Sequence, residues 1–567
     1  MAILTWKQVN WKKAYNELKI HQAELYKALK LNKSKQEIAK IHNSIITSFS
    51  ARAIAVRKVT TNSGKKIPGI DSVIWTTESH KMEAVRRLAT ITSDYQCSPV
   101  RRVYIKKAHG IKLRPLGIPT MTDRSVQTLF NFILDVHQEH SANPRSFGFR
   151  IGRSAKQAIN YGWTLTSGAG KRYFLKVDIE KAFDSVNHSW ILENIPIRKK
   201  IVRQWLESGF IENNKLFVSE TGVPQGGSIS PTIFNIILNG IEEDILNEKG
   251  VFPIRFADDI IVFSDTIEKL EEVKNIISRF LKPRGLGLNE GKTKVGSIEQ
   301  GVDFLGYNFR EYPQKQLRSN AKMLTKKGKL IVKPSTHSIE NFKNKINEVL
   351  KKYRRAKAYS LIIELNPIIR GWANYFNSRG GWTLLKNKLG LWLWIRLKKW
   401  VYSKHPNFKG GKKKLLAKYF KPIQRNRNYF NAWTFYGKNA NHEILLVDIQ
   451  EIKVNSENHL KFNPSPNPYN PDDDIIFNKA LKRQLLNDIR ISKLKQNLLR
   501  RQSGLCVICD QIIDLNQEQV ERDHIVPKSQ GGKDTLDNTM IVHKECHLKK
   551  TSWERRWKSI KLKNKAK

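Results

Sequence analysis

Acidic residues are scarce in this 567-residue chain: 51 Asp and Glu stand against 101 Lys and Arg, a formal charge of +50. So large a surplus exceeds what solubility needs and points to a polyanionic partner, above all nucleic acid. An acidic membrane surface is the competing reading. No run of 18 apolar residues exists, and the start, MAILTWKQVNWKKAYNELK, lacks the apolar stretch of a signal peptide. The expectation is therefore a protein with no membrane partner, in a bacterial cytoplasm or nucleoid or in a plastid or mitochondrial matrix. Cysteine is scarce too, with only four, which excludes a disulfide scaffold. Cys97 stands alone and reads as a buried, inert thiol, whereas Cys506, Cys509 and Cys546 crowd into the last tenth of the chain beside His543.

What is present is charge in the right company. Between Glu311 and Phe420 there are 27 Lys and Arg and four acids, interleaved with Trp372, Tyr375, Phe376, Trp382, Trp392, Trp394 and Trp400. Cations for phosphates and flat faces for stacking come together there. The same aromatics also suit the core of a helical domain, so most of the tryptophans are expected inside and the basic face outside.

Three segments carry the chemistry: VDIEKAFDSV with Asp178, GVPQGGSISP from Gly222 to Pro231, and IRFADDIIVF with Asp258 and Asp259, the three acids falling within 82 residues. Asp178 closes the apolar run YFLKV and so ends a strand. Asp258 and Asp259 lie between PIRF and IIVFS, which read as a hairpin with the acids at its tip. An Asp-Asp pair alone is weak, since most are solvated turns. Together with Asp178 and the intervening glycines it describes a template-directed polymerase palm, whose carboxylates can hold two divalent ions. The glycines allow close backbone approach to a nucleotide, and Gln225 can hydrogen-bond there. Phe183 is placed either to stack beneath a sugar or to fill the core.

In the C-terminal tail, CVIC (Cys506 to Cys509) and HKEC (His543 to Cys546) are two ligand pairs with zinc-knuckle spacing, suited to a closed tetrahedral Zn²⁺ site. A purely structural zinc module is one reading. RDHIVPKSQGG, DNT and ECHLKK place His524, Asn538 and His547 in the order that resembles an HNH nuclease. By that resemblance Asp523 and His547 hold Mg²⁺ or Mn²⁺, His524 is the general base and Asn538 orients the loop.

The run RRVYIKKAHGIKLRPLGIPTMTDRSVQ, then FGFRIGRSAKQAI, VDIEKAFDSV, GVPQGGSISPTIFNIILN, FADD, LGLNEGKTKV and VDFLGY, resembles the ordered blocks of group II intron-encoded reverse transcriptases over roughly residues 60 to 310. NPIIRGWANYF (Asn366 to Phe376) resembles the maturase or thumb motif of that family, and NPYNP (Asn467 to Pro471) the end of its DNA-binding region. The resemblance implies that Asp178, Asp258 and Asp259 are the Mg²⁺-binding catalytic acids. It further implies that Lys107 and Arg114 contact the incoming triphosphate, that Gln225 and Lys292 belong to the nucleotide pocket, and that Phe183 is the sugar gate. Phe256 stands where the family usually has Tyr.

The expected fold is multidomain α+β. It comprises a basic N-terminal helical extension (1–60), right-hand fingers and palm (61–315), an α-helical thumb or maturase domain (316–430), a small DNA-binding region (431–495) and a ββα-metal HNH domain with a zinc knuckle (496–567). The proline-rich FNPSPNPYNPDDD reads as a linker or an extended ligand-contacting strand. The implied activities are RNA-directed DNA polymerase, splicing maturase and DNA endonuclease. The implied partners are an intron RNA, target DNA and dNTPs, with a homodimer left open. The alternative is an RNA-binding splicing maturase whose catalytic centres no longer function.

Overall fold

The computed structural model describes residues 5–91, 95–106, 113–167, 170–312, 329–379, 381–423, 432–440, 442–455, 457, 465–486, 493–513 and 520–565. The chain opens with helices α1 (Trp11–Lys30), α2 (Lys35–Thr47) and α3 (Phe49–Thr61), followed by α4 (Glu78–Arg87). Their starts are written locally. The Asn10 side chain accepts from Lys13 N at the head of α1, and Ser34 with Glu37 forms a reciprocal capping box on α2. Nine of the thirteen residues of α3 are buried, Arg57 among them, so this helix is enclosed on every side. Trp6, Trp11, Leu18 and Leu25 are likewise buried. The N-terminal region is therefore not the separate basic extension expected from sequence but part of the main core, and the expected boundary at 60 falls inside α3.

Strands β1 (Val100–Lys106) and β2 (Leu113–Ile118) form an antiparallel pair, and helix α5 (Met121–Ser141) follows with fifteen buried residues. Helix α6 (Ala155–Ser167) leads to β3 (Tyr173–Val177). Two helices, α7 (His188–Asn194) and α8 (Lys199–Glu207), precede the hairpin β4 (Phe210–Glu212) and β5 (Lys215–Phe217), which joins β1 to give the order β2-β1-β4-β5. Helices α9 (Ser230–Leu238) and α10 (Ile241–Leu246) then lead into β6 (Phe252–Phe256) and β7 (Asp259–Ser264). After α11 (Glu268–Leu281) comes β8 (Lys294–Ser297), completing an antiparallel palm sheet of order β6-β7-β3-β8. Arg255 on β6 is fully buried. Its Nε donates to Glu242 at 2.6 Å, and Asn235 and Asn239 accept its remaining hydrogens, so the buried charge is met on several sides.

Strands β9 (Val302–Phe304), β10 (Tyr307–Tyr312) and β11 (Lys329–Pro334) form a small sheet that carries the palm into helices α12 (Thr336–Lys352), α13 (Ala358–Phe376) and α14 (Gly381–Lys404). Because β11 pairs with β10 along six residues, the expected boundary at 315 divides one sheet. Trp382 and Trp400 are buried here, Trp372 and Trp392 pack against the same core, and Trp394 is exposed with the Lys398 ammonium 4.1 Å from its ring centroid. Short helix α15 (Lys412–Ala417) and the sheet of β12 (Phe420–Ile423), β13 (Ala432–Lys438) and β14 (Glu443–Leu445) pack on this bundle, extending it beyond 430.

The proline-rich segment is not a free linker where it is described. Asn467 is buried with its amide on Glu139 O at 3.0 Å, and the Tyr469 hydroxyl donates to the Asp135 carboxylate on α5. Helices α16 (Asp474–Leu486) and α17 (Lys493–Arg501), the pair β15 (Val520–His524) and β16 (Thr539–His543), and α18 (Lys544–Lys565) complete the chain. The expected nuclease boundary at 496 lies within α17. Two apolar cores result. One unites the N-terminal helices, one side of the palm and the C-terminal module, and the other unites the opposite side of the palm sheet with the helical bundle.

Candidate active sites and metal centre

The palm acids are brought together by strand register. Val177 on β3 lies opposite Ile260 on β7, so one step further along each strand sets Asp178 across from Asp259. Phe256 pairs with Asp259 to close the β6-β7 hairpin, leaving Ala257 and Asp258 at its tip. Ala257 takes φ +58°, and a side chain on Gly148 would place Cβ 2.4 Å from Ala257 N, so only glycine lets the FGFR loop pack beneath this turn.

The electrostatics are those of a site waiting for cations. Burial, then the neighbouring charges of Asp258 and Asp178, push the Asp259 carboxyl up to about 6. Burial is also the main cause of the upward displacement of Asp258, which the Arg114 guanidinium partly opposes. Water still reaches Asp259 at the cleft, so its repulsion from the other two acids is what a divalent ion would relieve. Lys292 sets its ammonium 3.2 Å from Asp178 Oδ2. Carboxylate oxygens are the donors that Mg²⁺ accepts, so the residues fit that ion.

Gln225 donates to Asp184 Oδ1 at 3.1 Å, and its backbone oxygen accepts from Gly117 N at 2.6 Å, docking the PQGG loop against β2. Gly226 has φ +119°, with room for no side chain beside Gly117 O. Phe183 is half-buried and stacks on the fully buried Phe234 with centroids 4.2 Å apart, so one face serves the core and the rest of the ring is left toward the loop. Phe256 packs partly into the second core. Lys107 lies outside the described residues. A cavity of about 1320 Å³ borders the loop, with Gly117, Gly226, Ser228, Phe256 and Tyr375 in its lining. Sequence reasoning missed Tyr375 as a site residue. The Tyr307 hydroxyl donates to its carbonyl at 2.5 Å, its own hydroxyl donates to Leu305 O at 3.0 Å, and the Asp259 charge contributes to raising its pKa to about 12, after burial. The GWANYF motif was the available signal.

The second acidic site stands on β15. Alternation puts Glu521 and Asp523 on one strand face, toward α18. There Glu521 Oε2 is 2.6 Å from His547 Nδ1, and Asp523 Oδ1 is 3.7 Å from His547 Nε2. His524 turns its Nε2 to Asp534 Oδ1 at 3.1 Å. Asn538 accepts from Val526 N and donates to Val526 O and Lys533 O, which pins the loop between the two strands. Lys550 donates to Asp523 Oδ2 at 3.0 Å and to His524 O. A carboxylate and an imidazole nitrogen are donors that Mg²⁺ or Mn²⁺ accepts. Glu521, Asp534 and Lys550 were not singled out from the sequence. Spacing of two on a strand from Asp523, and of three on a helix from His547, was the signal for the first and last.

Cys506, Cys509, His543 and Cys546 are all buried, and their donor atoms all lie within 4.8 Å of one another. His543 Nδ1 is 3.3 Å from Cys509 Sγ and 3.9 Å from Cys546 Sγ. Ideal tetrahedral Zn²⁺ with bonds near 2.3 Å to sulfur and 2.0 Å to nitrogen sets such pairs about 3.5 Å apart, so the donor set fits that ion. Hydrogen bonds among the sulfurs lower the Cys506 thiol and raise that of Cys546. Cys97 differs: burial, then the nearby Asp123, pushes its thiol up to about 12, leaving it unreactive.

Four family models match in order along the chain. They are the N-terminal domain of reverse transcriptase over residues 6–88, reverse transcriptase (RNA-dependent DNA polymerase) over 105–309, the group II intron maturase-specific domain over 339–420, and HNH endonuclease over 506–552. The group II intron-encoded protein LtrA of Lactococcus lactis subsp. cremoris is 30% identical over 250 residues, covering 43% of this chain and 40% of that protein. In this order the four matches make the chain similar to group II intron-encoded reverse transcriptase/maturase proteins with a C-terminal HNH domain. The chain thus spans about two fifths of the length of LtrA. It is also 28% identical to protein YkfC of Escherichia coli over 47% of itself and 81% of that protein. Maturase-like protein 1 of Euglena gracilis is 25% identical over 64% of this chain and 76% of its own. Among the described residues, no helix is long and apolar enough to cross a membrane.

Proposed function

We propose that this chain is an RNA-directed DNA polymerase that binds its intron RNA, assists that RNA's splicing, and nicks target DNA to provide the primer for copying the intron. The observation that carries the reading is the juxtaposition of Asp178 with Asp258 and Asp259 by the β3-β7 register, beside the Gly226 loop. The basic helical bundle of residues 336–404 supports the RNA-binding part, with its exposed Trp394 and Lys398.

In the palm, two Mg²⁺ ions would activate a primer 3′-hydroxyl and neutralise the triphosphate of an incoming dNTP. The chain's own part is positioning. Arg114 offers charge to the phosphates, Gln225 and the flexible glycines shape the base pocket, and Phe183, backed by rigid Phe234, floors the sugar. Lys292, its ammonium against Asp178 Oδ2, holds that carboxylate in place until it is used. In the nuclease, Asp523 and His547 would hold Mg²⁺ or Mn²⁺, with the Glu521 carboxylate on the Nδ1 side of the His547 ring. His524 takes the proton of the attacking water while Asn538 holds the loop in place. Zn²⁺ in the Cys506, Cys509, His543 and Cys546 set would stabilise the module without taking part in chemistry.

The test is primer extension on an RNA template with Mg²⁺ and dNTPs, comparing the parent with the Asp258→Ala/Asp259→Ala variant. Extension by the parent, falling by at least about a thousandfold in the variant, is the expected result. RNA binding should persist in both. No extension by either, with tight RNA binding, would replace this reading with a splicing maturase whose centres no longer function.

A further inference from the structure

The Cys506, Cys509, His543 and Cys546 centre does not stand inside its own module alone. Arg57 comes from α3, 489 residues away in sequence, and its Nη2 lies 3.7 Å from Cys546 Sγ. The guanidinium is 1% exposed and is stacked between aromatic walls, 4.6 Å from the Trp11 ring centroid and 5.5 Å from that of Tyr15. A divalent ion held by three thiolates and a neutral imidazole leaves one net negative charge in a buried place. Burial of such a charge is costly unless a cation is brought to it. Arg57 is that cation, and its planar face is the kind that aromatic rings accept.

Helix α18 divides its labour around this contact. Glu545, Cys546 and Lys549 fall on the face turned to the N-terminal helices: Glu545 pairs with Lys81 at 3.1 Å with both side chains largely buried, and Lys549 donates to Val9 O at 2.6 Å. His547, Lys550 and Glu554 fall on the other face, toward β15 and its carboxylates. Spacings of three and four on one helix thus aim one set at the docking surface and the other at the nuclease centre. The apolar core is continuous across the same join, from Trp6 and Trp11 through Cys506 and Cys546 to Leu498 and Leu499.

We infer that the Cys₃His centre is an interdomain lock, in which Arg57 supplies the counter-charge to the metal-bound thiolates, so that metal loading seals the nuclease module onto the N-terminal helices of the polymerase. This rests on the reading of the Cys₃His set as a metal site. The consequence is that the two catalytic centres keep a fixed relation only in the metal-loaded chain.

The test uses the full-length chain and reads metal content, zinc affinity by competition with a chromogenic chelator, and amide hydrogen exchange. In the parent, removal of zinc should speed exchange in residues 6–15 and 49–61 as well as in 544–551, by about tenfold or more. Arg57→Met should weaken zinc binding by roughly 10–100-fold and raise the same exchange rates before any chelator is added, and Arg57→Lys should restore part of both. Parental affinity and parental protection in Arg57→Met would overturn the lock. Primer extension by Arg57→Met reports whether the polymerase module has folded. If it has not, Lys81→Met replaces it, and undisturbed exchange at 544–551 in that variant would overturn the proposal. A parent that binds no zinc would overturn it at an earlier point, by removing the metal site, whereas zinc bound with no change in exchange on its removal would refute the lock alone.

Discussion

The palm and the C-terminal knuckle both gather groups that bind cations, and they do so in opposite ways. Three palm acids meet at a cleft that water reaches, and burial, then the neighbouring charges of Asp258 and Asp178, pushes Asp259 up to about 6. The knuckle's four donors are sealed from water, with a guanidinium against one of them. The first arrangement is poised for ions that come with substrate and change partners during a reaction. The second closes around one ion and belongs to the fold. Unrelieved charge in an open place marks where chemistry happens, and compensated charge in a closed place marks where structure is held.

Metal withdrawal should separate the two centres most sharply. Removing Mg²⁺ should stop primer extension while leaving the melting profile unchanged. A zinc-selective chelator should abolish the cooperative melting of residues 493–565 while extension, measured with Mg²⁺ present, continues. Equal effects of the two treatments on melting would break the contrast.

Within the C-terminal module, His524→Ala should lower DNA nicking by roughly 10²–10⁴-fold, the scale of a lost general base, with zinc content unaltered. Persistent nicking would transfer that role to another group beside Asp523.

A smaller effect should appear in the pH dependence of the palm. Asp259 has a raised pKa, so it carries a proton below about pH 6 and must lose it to bind a metal ion. As pH falls through that value, the Mg²⁺ concentration for half-maximal extension should rise, and excess Mg²⁺ should restore the rate. A Mg²⁺ requirement that stays flat down to about pH 5 would place Asp259 outside the metal site.

The smallest expected change tests a structural buried charge rather than a metal site. Tyr469→Phe removes the hydroxyl that donates to Asp135, and thermal unfolding should register a loss of about 1–3 kcal/mol, with extension unaffected at temperatures well below melting. An unchanged transition would mean that water replaces the hydroxyl.

Much of the site was legible because its signals are local. Asp178 follows an apolar run that becomes β3, Asp258 and Asp259 sit where the β6-β7 hairpin turns, and the two ligand pairs lie at a turn (Cys506, Cys509) and at the β16–α18 junction (His543, Cys546). The rest depends on partners far away in sequence. Nothing near Arg57 announces Cys546, and nothing near Tyr469 announces Asp135, 334 residues away. The N-terminal helices read as a basic arm because surface lysines outnumber the buried Trp6, Trp11 and Leu25, and only packing shows which residues of each helix face inward. Phe183 was undecidable between sugar and core for the same reason, and its stacking on Phe234 gives it a share in the second role while leaving it beside the first.

By itself, the sequence determined the chemistry: which carboxylates, imidazoles and thiols exist, and on which strand ends and turns they fall, because strand alternation, turn preference and ligand spacing act over a few residues. Tertiary structure alone decided which charges stay unrelieved and which are answered, since a counter-charge is chosen by proximity in space. That choice leaves Asp259 open to ions in the cleft and places Arg57 against the sulfur of Cys546.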